Sequence, residues 1–435
     1  MLAGFSRLDI TPPLGTPLAG FFSERLAQGI IDPLELNTVA LNDGENTAII
    51  IVTDALGILE DYTTKIRNMI AEECDVKADH IMITATHTHS SFRLGRKPAD
   101  ATATLRNPLD DEQFICVLLR KYVDAARIAI DDMKDASLSY GIEETSEPVS
   151  FVRRFLMKDG RVQSFPKVDD YPNIVRPMSD ADNFLRLIRI DRKEGKSIAL
   201  ANFSTHACIV GGMKFSPDWP GYVRRFVEED LGNVHCIAYA GAEGDTNHIN
   251  TALSFRQSGV EYCEKMSRIL ADATLKAWEN TTPSKSEKIV SKVRNAYIKT
   301  RTDDMEKFDE AMQGLADHYS GKEKAHEQKL ANWRRITNTM IMPVYQHVPV
   351  TTMMIGDILL VGFGGEPFTQ YANRSRDLAP DKFVIAAACA NGYQGYLPTA
   401  QAFKDGGYES ASSFFSPSIE DDVMNTVAEM LDEIK

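Results

Sequence analysis

Cysteine is scarce in this chain, with six in 435 residues: Cys74, Cys116, Cys208, Cys236, Cys263 and Cys389. No two form a CxxC pair, which argues against a disulfide scaffold or a thiolate zinc finger and suits reduced thiols in a cytoplasmic protein. Cys208 stands close enough to His206 to be a ligand, although a small core residue is the simpler reading. No uninterrupted apolar run approaches the roughly 18 residues of a membrane-spanning helix. The opening Met1–Arg7 lacks the charged and apolar regions of an export signal. No basic cluster offsets the acidic excess: 48 Lys and Arg against 62 Asp and Glu leave a net charge of −14. Nucleic acid and anionic membrane are therefore poor partners, and a small molecule is the expected one. Internal repeats and low-complexity tracts are also missing.

What the chain has instead is a recurring arrangement, in which short apolar runs lead straight into residues able to hold a metal or move a proton. Ile81–Ala85 leads to Thr86-His87-Thr88-His89-Ser90, and Ile198–Phe203 leads to Ser204-Thr205-His206. Ile237–Ala240 leads to Glu243-Gly244-Asp245, Ile358–Phe363 to Gly364-Gly365-Glu366, and Val384–Ala388 to Asn391, Tyr393 and Tyr396. Ligands of helix-crossover sheets gather at the carboxyl ends of strands. If residues 87–89 are extended, alternation turns His87 and His89 toward one site.

Strand-like runs near 36–42, 47–53, 80–86, 184–190, 197–203, 234–240, 288–299, 347–355, 357–363 and 383–389 alternate with helical patterns near 61–75, 111–133, 219–231, 254–279, 303–336, 366–376 and 419–434. This alternation predicts an α/β fold, a mixed β-sheet core flanked by helices. The runs 347–355 and 357–363 are too close for a crossover helix, so they must pair antiparallel. Met305, Phe308, Met312, Leu315 and Tyr319 form one apolar helical stripe, and Leu330, Trp333 and Ile336 continue it beyond a Ser-Gly break. A helical hairpin over 303–336 is the expectation, packed on the core or serving as a lid or homo-oligomer contact. Residues 91–110 read as a loop over the site entrance, with Arg93, Arg96 and Lys97 suited to a polar or anionic substrate.

His87, His206 and Glu366 suffice as a zinc trio with one position left open. Tyr396 and Tyr408 are either half-buried packing residues or site residues. Asp245 sits in an ordinary turn or orients a histidine through its carboxylate. Arg153 and Arg154 form a solvated pair or hold a carbonyl oxygen.

Taken in order, Asp9-Ile10-Thr11-Pro12, His87-Thr88-His89-Ser90, Thr205-His206, Gly244-Asp245, Gly365-Glu366-Pro367-Phe368 and Tyr396…Tyr408-Glu409 resemble the catalytic domain of the neutral/alkaline, non-lysosomal ceramidases. The resemblance implies Zn2+ held by His87, His206, Glu366 and Tyr396, with His89 handling protons. It further implies Tyr408 stabilising charge on the scissile carbonyl and Arg153 near the reacting group. Asp245 belongs to the same catalytic constellation.

Two departures stand out. Thr246-Asn247-His248 occupies the place of the family's Val-Ser-Pro, and Ser91-Phe92-Arg93 replaces the family's Gly-Pro-Gly. The expected unit is a single hydrolase domain over residues 1–435, without the family's C-terminal immunoglobulin-like domain. The implied activity is a zinc-dependent amidohydrolase acting on a water-soluble N-acyl compound rather than long-chain ceramide. An ester or lactone hydrolase of a sugar-like substrate, or a metal-binding protein without catalysis, remains an alternative.

Overall fold

The computed structural model describes residues 1–21, 25–95, 112–301 and 345–434. The helical hairpin expected over 303–336, and Arg96 and Lys97, lie outside them.

Among the described residues the chain repeats one topology three times. The first unit runs β1 (Leu2–Asp9), β2 (Glu35–Asn42), β3 (Thr47–Thr53), α1 (Glu60–Cys74), β4 (Ile81–Ala85) and α2 (Glu112–Asp131). The second runs β5 (Lys134–Glu144), β6 (Phe184–Arg192), β7 (Ser197–Phe203), α3 (Asp218–Leu231), β8 (Val234–Ala240) and α4 (Val260–Glu279). The third runs β9 (Ile289–Lys299), β10 (Tyr345–Ile355), β11 (Ile358–Phe363), α5 (Thr369–Leu378), β12 (Phe383–Ala387) and α6 (Ile419–Ile434).

In every unit the first three strands pair antiparallel, and the third and fourth pair parallel. Parallel pairing requires a crossover, which α1, α3 and α5 supply. The sequence shows no repeat because this topology asks only for apolar strands and one-faced helices, a demand that many sequences meet.

The first two units share a nine-stranded sheet ordered β8-β7-β6-β5-β1-β2-β3-β4, with Thr282–Pro283 added along β5. Their seam is short: Leu2 and Ala3 of β1 face Asp135 and Lys134 of β5. The third unit forms a separate four-stranded sheet, β9-β10-β11-β12. The sheets pack face to face through Val39, Ile50, Ile188, Leu200, Met353, Leu360 and Ile385. Helices α1 to α4 cover the outer face of the large sheet, and α5 and α6 that of the small one. Strands buried on both faces need continuous apolar sequence, which is why β3 reads Ala-Ile-Ile-Ile-Val. The helices are apolar on one side only: α2 buries Leu118, Leu119, Tyr122, Val123, Ala126 and Ala129. No helix among the described residues is long and apolar enough to cross a membrane.

The mixed α/β architecture and the antiparallel β10–β11 pair agree with the sequence reading. Two of the long strands escaped it, β1 and β5, as did the short strands of the connections. Their sequences, LAGFSRLD and KDASLSYGIEE, carry Gly, Ser and charged residues that blur the alternation.

Within each unit the first, third and fourth strands run in one direction, so their carboxyl ends lie together. The segment after β12 ties these ends across the two sheets. Ala388 N–H donates to Ala240 O at the end of β8 (3.2 Å), and Asn391 N–H donates to Ile83 O in β4 (2.7 Å). The Asn391 amide accepts from Ile83 N–H at 3.0 Å and donates to Ile81 O at 3.2 Å and Thr351 Oγ1 at 2.9 Å. Asn391 has φ 53°, a left-handed conformation that Asn tolerates better than most residues. Asn391→Ala should therefore cost about 3 kcal/mol, the scale for leaving buried polar partners unsatisfied. The expected readout is a lowered urea midpoint with an unchanged m-value.

Candidate functional site

Each strand end delivers its side chain by a turn rather than by continuing the strand. β4 stops at Ala85, and His87 follows with φ 58°. The pleat-based expectation for His87 and His89 is therefore corrected: a left-handed turn brings them together, and their Nε2 atoms lie 3.3 Å apart. A left-handed histidine is uncommon and costs backbone energy, which the surrounding contacts must offset. Cys389, two residues past β12, repeats the turn with φ 50°. His206, Glu243 and Glu366 each stand three residues past the ends of β7, β8 and β11.

His87 donates from Nδ1 to Leu56 O at 2.8 Å, and His206 from Nδ1 to Glu243 O at 2.8 Å. Both rings thus turn an unprotonated Nε2 toward Glu366, whose Oε2 lies 3.7 Å from His87 Nε2 and 3.2 Å from His206 Nε2. Glu366 Oε1 accepts from Tyr393 Oη at 2.8 Å, whereas Oε2, fully buried, has no hydrogen-bond partner. Ligands about 2.1 Å from one tetrahedral ion stand about 3.4 Å from one another. The two imidazoles and the orphaned oxygen match that spacing, so these residues fit a divalent cation. His89 joins His87 and His206 in the same cluster and is a further candidate ligand.

Electrostatics keep the set ready for a cation. Burial lowers His87, and it takes His206 down to about 3, helped by the Arg153 charge. Burial and the neighbouring His87 and His206 hold His89 well below the ordinary histidine range. All three rings are neutral near pH 7. Burial alone would raise Glu366, but His87, His206 and Arg153 outweigh it and hold the carboxyl far below the usual range.

Arg153 is buried, with Nε donating to Glu409 Oε1 at 2.7 Å and Nη1 standing 3.2 Å from His206 Nε2. Its guanidinium lies over the rings of Phe165 and Tyr396, 4.9 Å from each centroid, and Nη2 has no hydrogen-bond partner. Tyr396 stacks beside His206 (centroids 6.3 Å) and meets Tyr408 edge-on at 5.6 Å. The two tyrosines expected from the sequence therefore do converge on the histidines and Arg153.

Asp245 does not reach a histidine, contrary to one reading of its turn. Its carboxylate accepts from Ser179 Oγ (2.6 Å) and from Thr369 N and Oγ1 (both 2.8 Å), while its carbonyl accepts from Arg153 N–H at 3.0 Å. It is the Glu243 carbonyl that orients His206. Gly244 allows this close meeting of turns, since a Cβ there would sit 2.3 Å from Glu366 O. Gly20 plays a similar part beside His89: a Cβ would approach Nδ1 to 2.5 Å, and its φ is +93°. Cys208 lines the cavity and stands 3.8 Å from His248 Nδ1, outside both groups of candidate ligands. Arg154 caps the segment before Tyr408, donating to Gly406 O at 2.7 Å, and so is not a solvated surface residue.

Three residues that the sequence placed beside the candidates without assigning them a role also face the cluster: Tyr393, Glu409 and Glu243. Each stands beside a residue that was singled out, and only the turns show that it faces inward.

A cavity of about 480 Å3 opens onto this cluster. His89, Arg153, His206, Tyr396 and Tyr408 form its floor, and Phe21, Phe165, Val168, Leu253 and Phe255 its apolar wall. Asn247, Asn250, Gln257 and Lys167 supply the polar part, and no Asp or Glu is among the described lining residues. Arg93 is not among the described residues that line this cavity. Thr246 is buried away from the cavity, its hydroxyl donating to Ser204 O at 3.3 Å.

No family profile matches the chain, and no curated protein matches it in sequence. Its backbone is similar to the solved neutral ceramidase from Pseudomonas aeruginosa, with a TM-score of 0.74 and 15% identity over 100% of this chain and 74% of that one. It is also similar to a ceramidase complexed with C2, with a TM-score of 0.72 and 14% identity over 100% of this chain and 75% of that one. Three strand–crossover–strand units with their site at the joined strand ends therefore make up a ceramidase-like fold.

Proposed function

We propose that this chain is a zinc-dependent hydrolase that cleaves an amide bond of a small N-acyl compound. The observation that carries this reading is the convergence of His87 Nε2, His206 Nε2 and the unpartnered Glu366 Oε2 beside a cavity that His206 itself lines. The amide is taken from the solved neighbours, which are named as ceramidases. The same residues would also open an ester or lactone.

His87, His206 and Glu366 would hold the ion, with Tyr396 completing the set. When bound, zinc would supply positive charge that polarises a carbonyl and acidifies water. His89, neutral because it is buried, accepts a proton from the attacking water and returns it to the leaving nitrogen. Tyr408 and Arg153 Nη2 donate to the carbonyl oxygen as charge develops there. Asp245 holds Arg153 through its main chain and anchors the start of α5 through Thr369. With Thr246 turned away, no hydroxyl at that turn competes as nucleophile, so the reaction needs no acyl-enzyme.

The cavity is of a size that encloses a small ligand. Its apolar wall suits an acyl group. Its acid-free polar part, with Lys167 at the mouth, suits an uncharged or anionic end. All six cysteines are free thiols, which suits a cytoplasmic setting.

Purified protein should carry close to one equivalent of zinc, and His206→Ala should lose most of it. Full retention by both His87→Ala and His206→Ala would refute the assignment. Tyr396→Phe should weaken metal retention. Tyr408→Phe should keep the metal and lower kcat by roughly 10²–10³, the scale for one lost oxyanion donor; equal, small effects from both would return the tyrosines to packing roles. In a panel of soluble N-acyl amines, lactones and ceramides, the highest kcat/KM should fall on a soluble N-acyl amine. A long-chain ceramide in that position would overturn the substrate reading.

A further inference from the structure

Asn247 lines the cavity at only 1% exposure, and half of its amide is unused. It pairs with Phe151 in a two-residue antiparallel ladder, next to Thr246 and Val152. The bond from Arg153 N–H to Asp245 O continues that ladder toward the site. Side chains alternate along it. Thr246 turns inward to Ser204 O, so Asn247 turns the other way, into the cavity that Arg153 also lines. Its Oδ1 accepts from Ile249 N–H at 2.9 Å. A backbone N–H requires an acceptor, so the oxygen is fixed in that place and the NH2 group in the other. Nδ2 has no hydrogen-bond partner among the described residues.

Asn250 repeats the arrangement. Its Oδ1 accepts from Ala252 N–H at 3.0 Å, and its Nδ2 has no partner among the described residues. Gln257 locks the segment, donating to Asn250 O at 2.9 Å and accepting from Asn250 N–H at 2.8 Å. Lys167 faces the same cavity from the 145–183 connection, and its ammonium makes no ion pair among the described residues. Aspartate closes such turns as well as asparagine does, but it would turn an oxygen to the cavity. The turns therefore account for the two Oδ1 atoms and leave the two NH2 groups to be explained. Together these residues offer N–H donors and one positive charge, and no Asp or Glu is among the described lining residues. The donors run from buried Asn247 to exposed Lys167. The buried end shares the cavity with His206 and Arg153, so an anion held there stands a few bonds from a carbonyl at the floor.

We propose that the leaving amine of the substrate carries a carboxylate, held by Asn247 Nδ2, Asn250 Nδ2 and Lys167 Nζ. The substrate class is then an N-acyl amino acid. This rests on the amide-hydrolase reading above and makes Asn247 and Lys167 determinants of its specificity. Hydrolysis breaks the C–N bond, leaves the water oxygen on the acyl carbon and a proton on the nitrogen, and releases a carboxylic acid and an amino acid.

Full-length protein would be assayed with N-octanoylglycine, N-octanoylglycinamide and N-octanoyltaurine, and binding of each to metal-stripped protein measured by calorimetry. The kcat/KM for N-octanoylglycine should exceed that for the glycinamide by roughly 10–100-fold, the scale of hydrogen bonds to a charged group. Asn247→Asp keeps the acceptor for Ile249 N–H and replaces the donors by a negative oxygen. It and Lys167→Met should each cut that ratio by roughly 10-fold, mostly through KM. Lys167 is exposed, so its variant tests the site even if Asn247→Asp folds poorly. Equal kcat/KM for glycine and glycinamide substrates in wild type would overturn the inference, and so would a ratio that neither variant changes. N-octanoyltaurine as the best substrate would put a sulfonate in the site and overturn the carboxylate. Tighter binding of N-octanoylglycine than of its amide, with turnover of neither, would sink the hydrolase reading and leave the carboxylate site standing. Turnover of all three at equal kcat/KM sinks this inference alone.

Discussion

Parallel pairing at three sheet edges is the constraint on which the rest of this molecule depends. A parallel strand can be reached only by a crossover, and the crossover returns the chain so that two carboxyl ends lie side by side. Three such pairs leave six strand ends, and the residues after β12 bind them together across two sheets. The histidines and carboxylates are then placed by turns of two or three residues, too short to wander. The precision of the site is thus a property of the hydrogen-bonded edges rather than of the loops around it.

The interior at this junction carries more charge than a protein core normally holds. Arg153 and Glu409 balance each other at 2.7 Å, and Arg224 clasps Asp54 through two bonds of 2.9 and 2.6 Å. Asp54 directly follows the third strand of the first unit, in the stretch that leads to His206 in the second and Glu366 in the third. The first unit spends that position on an internal ion pair and contributes to the cluster through its fourth strand instead. Similar scaffolds therefore carry dissimilar duties.

Much of the scaffold was legible in the sequence because burial on two faces forces continuous apolar runs, and β3, β7, β8 and β11 could be read almost to their ends. β1 and β5 were not legible, since a polar strand resembles a loop until its partners are known. The threefold repetition was hidden for a related reason: it resides in pairing order, which composition does not record. At the site, His87, His206, Glu366, Tyr396, Tyr408 and Arg153 could be picked out from where they follow apolar runs or from the family resemblance. The left-handed turn at His87 and the inward direction of Glu243 and Tyr393 could not, because each is set by contacts with residues from other strand ends: Cys389 beside His87, His206 on the Glu243 carbonyl and Glu366 on the Tyr393 hydroxyl.

In the first two units, the connections between the first and second strands, residues 10–34 and 145–183, bring Phe21, Arg153, Phe165 and Lys167 to the cavity. These segments join antiparallel strands whose register is fixed elsewhere, so the parts of them outside their own short ladders can change without disturbing the two main sheets. The histidines of the floor have no such freedom, being held in turns that directly follow paired strands. Selectivity and chemistry are thus written largely in separable stretches of the chain, with Arg153 the exception, since it reaches the floor from a connection. A scaffold of this kind can exchange one acyl group for another through its connections while the inner cluster stays as it is.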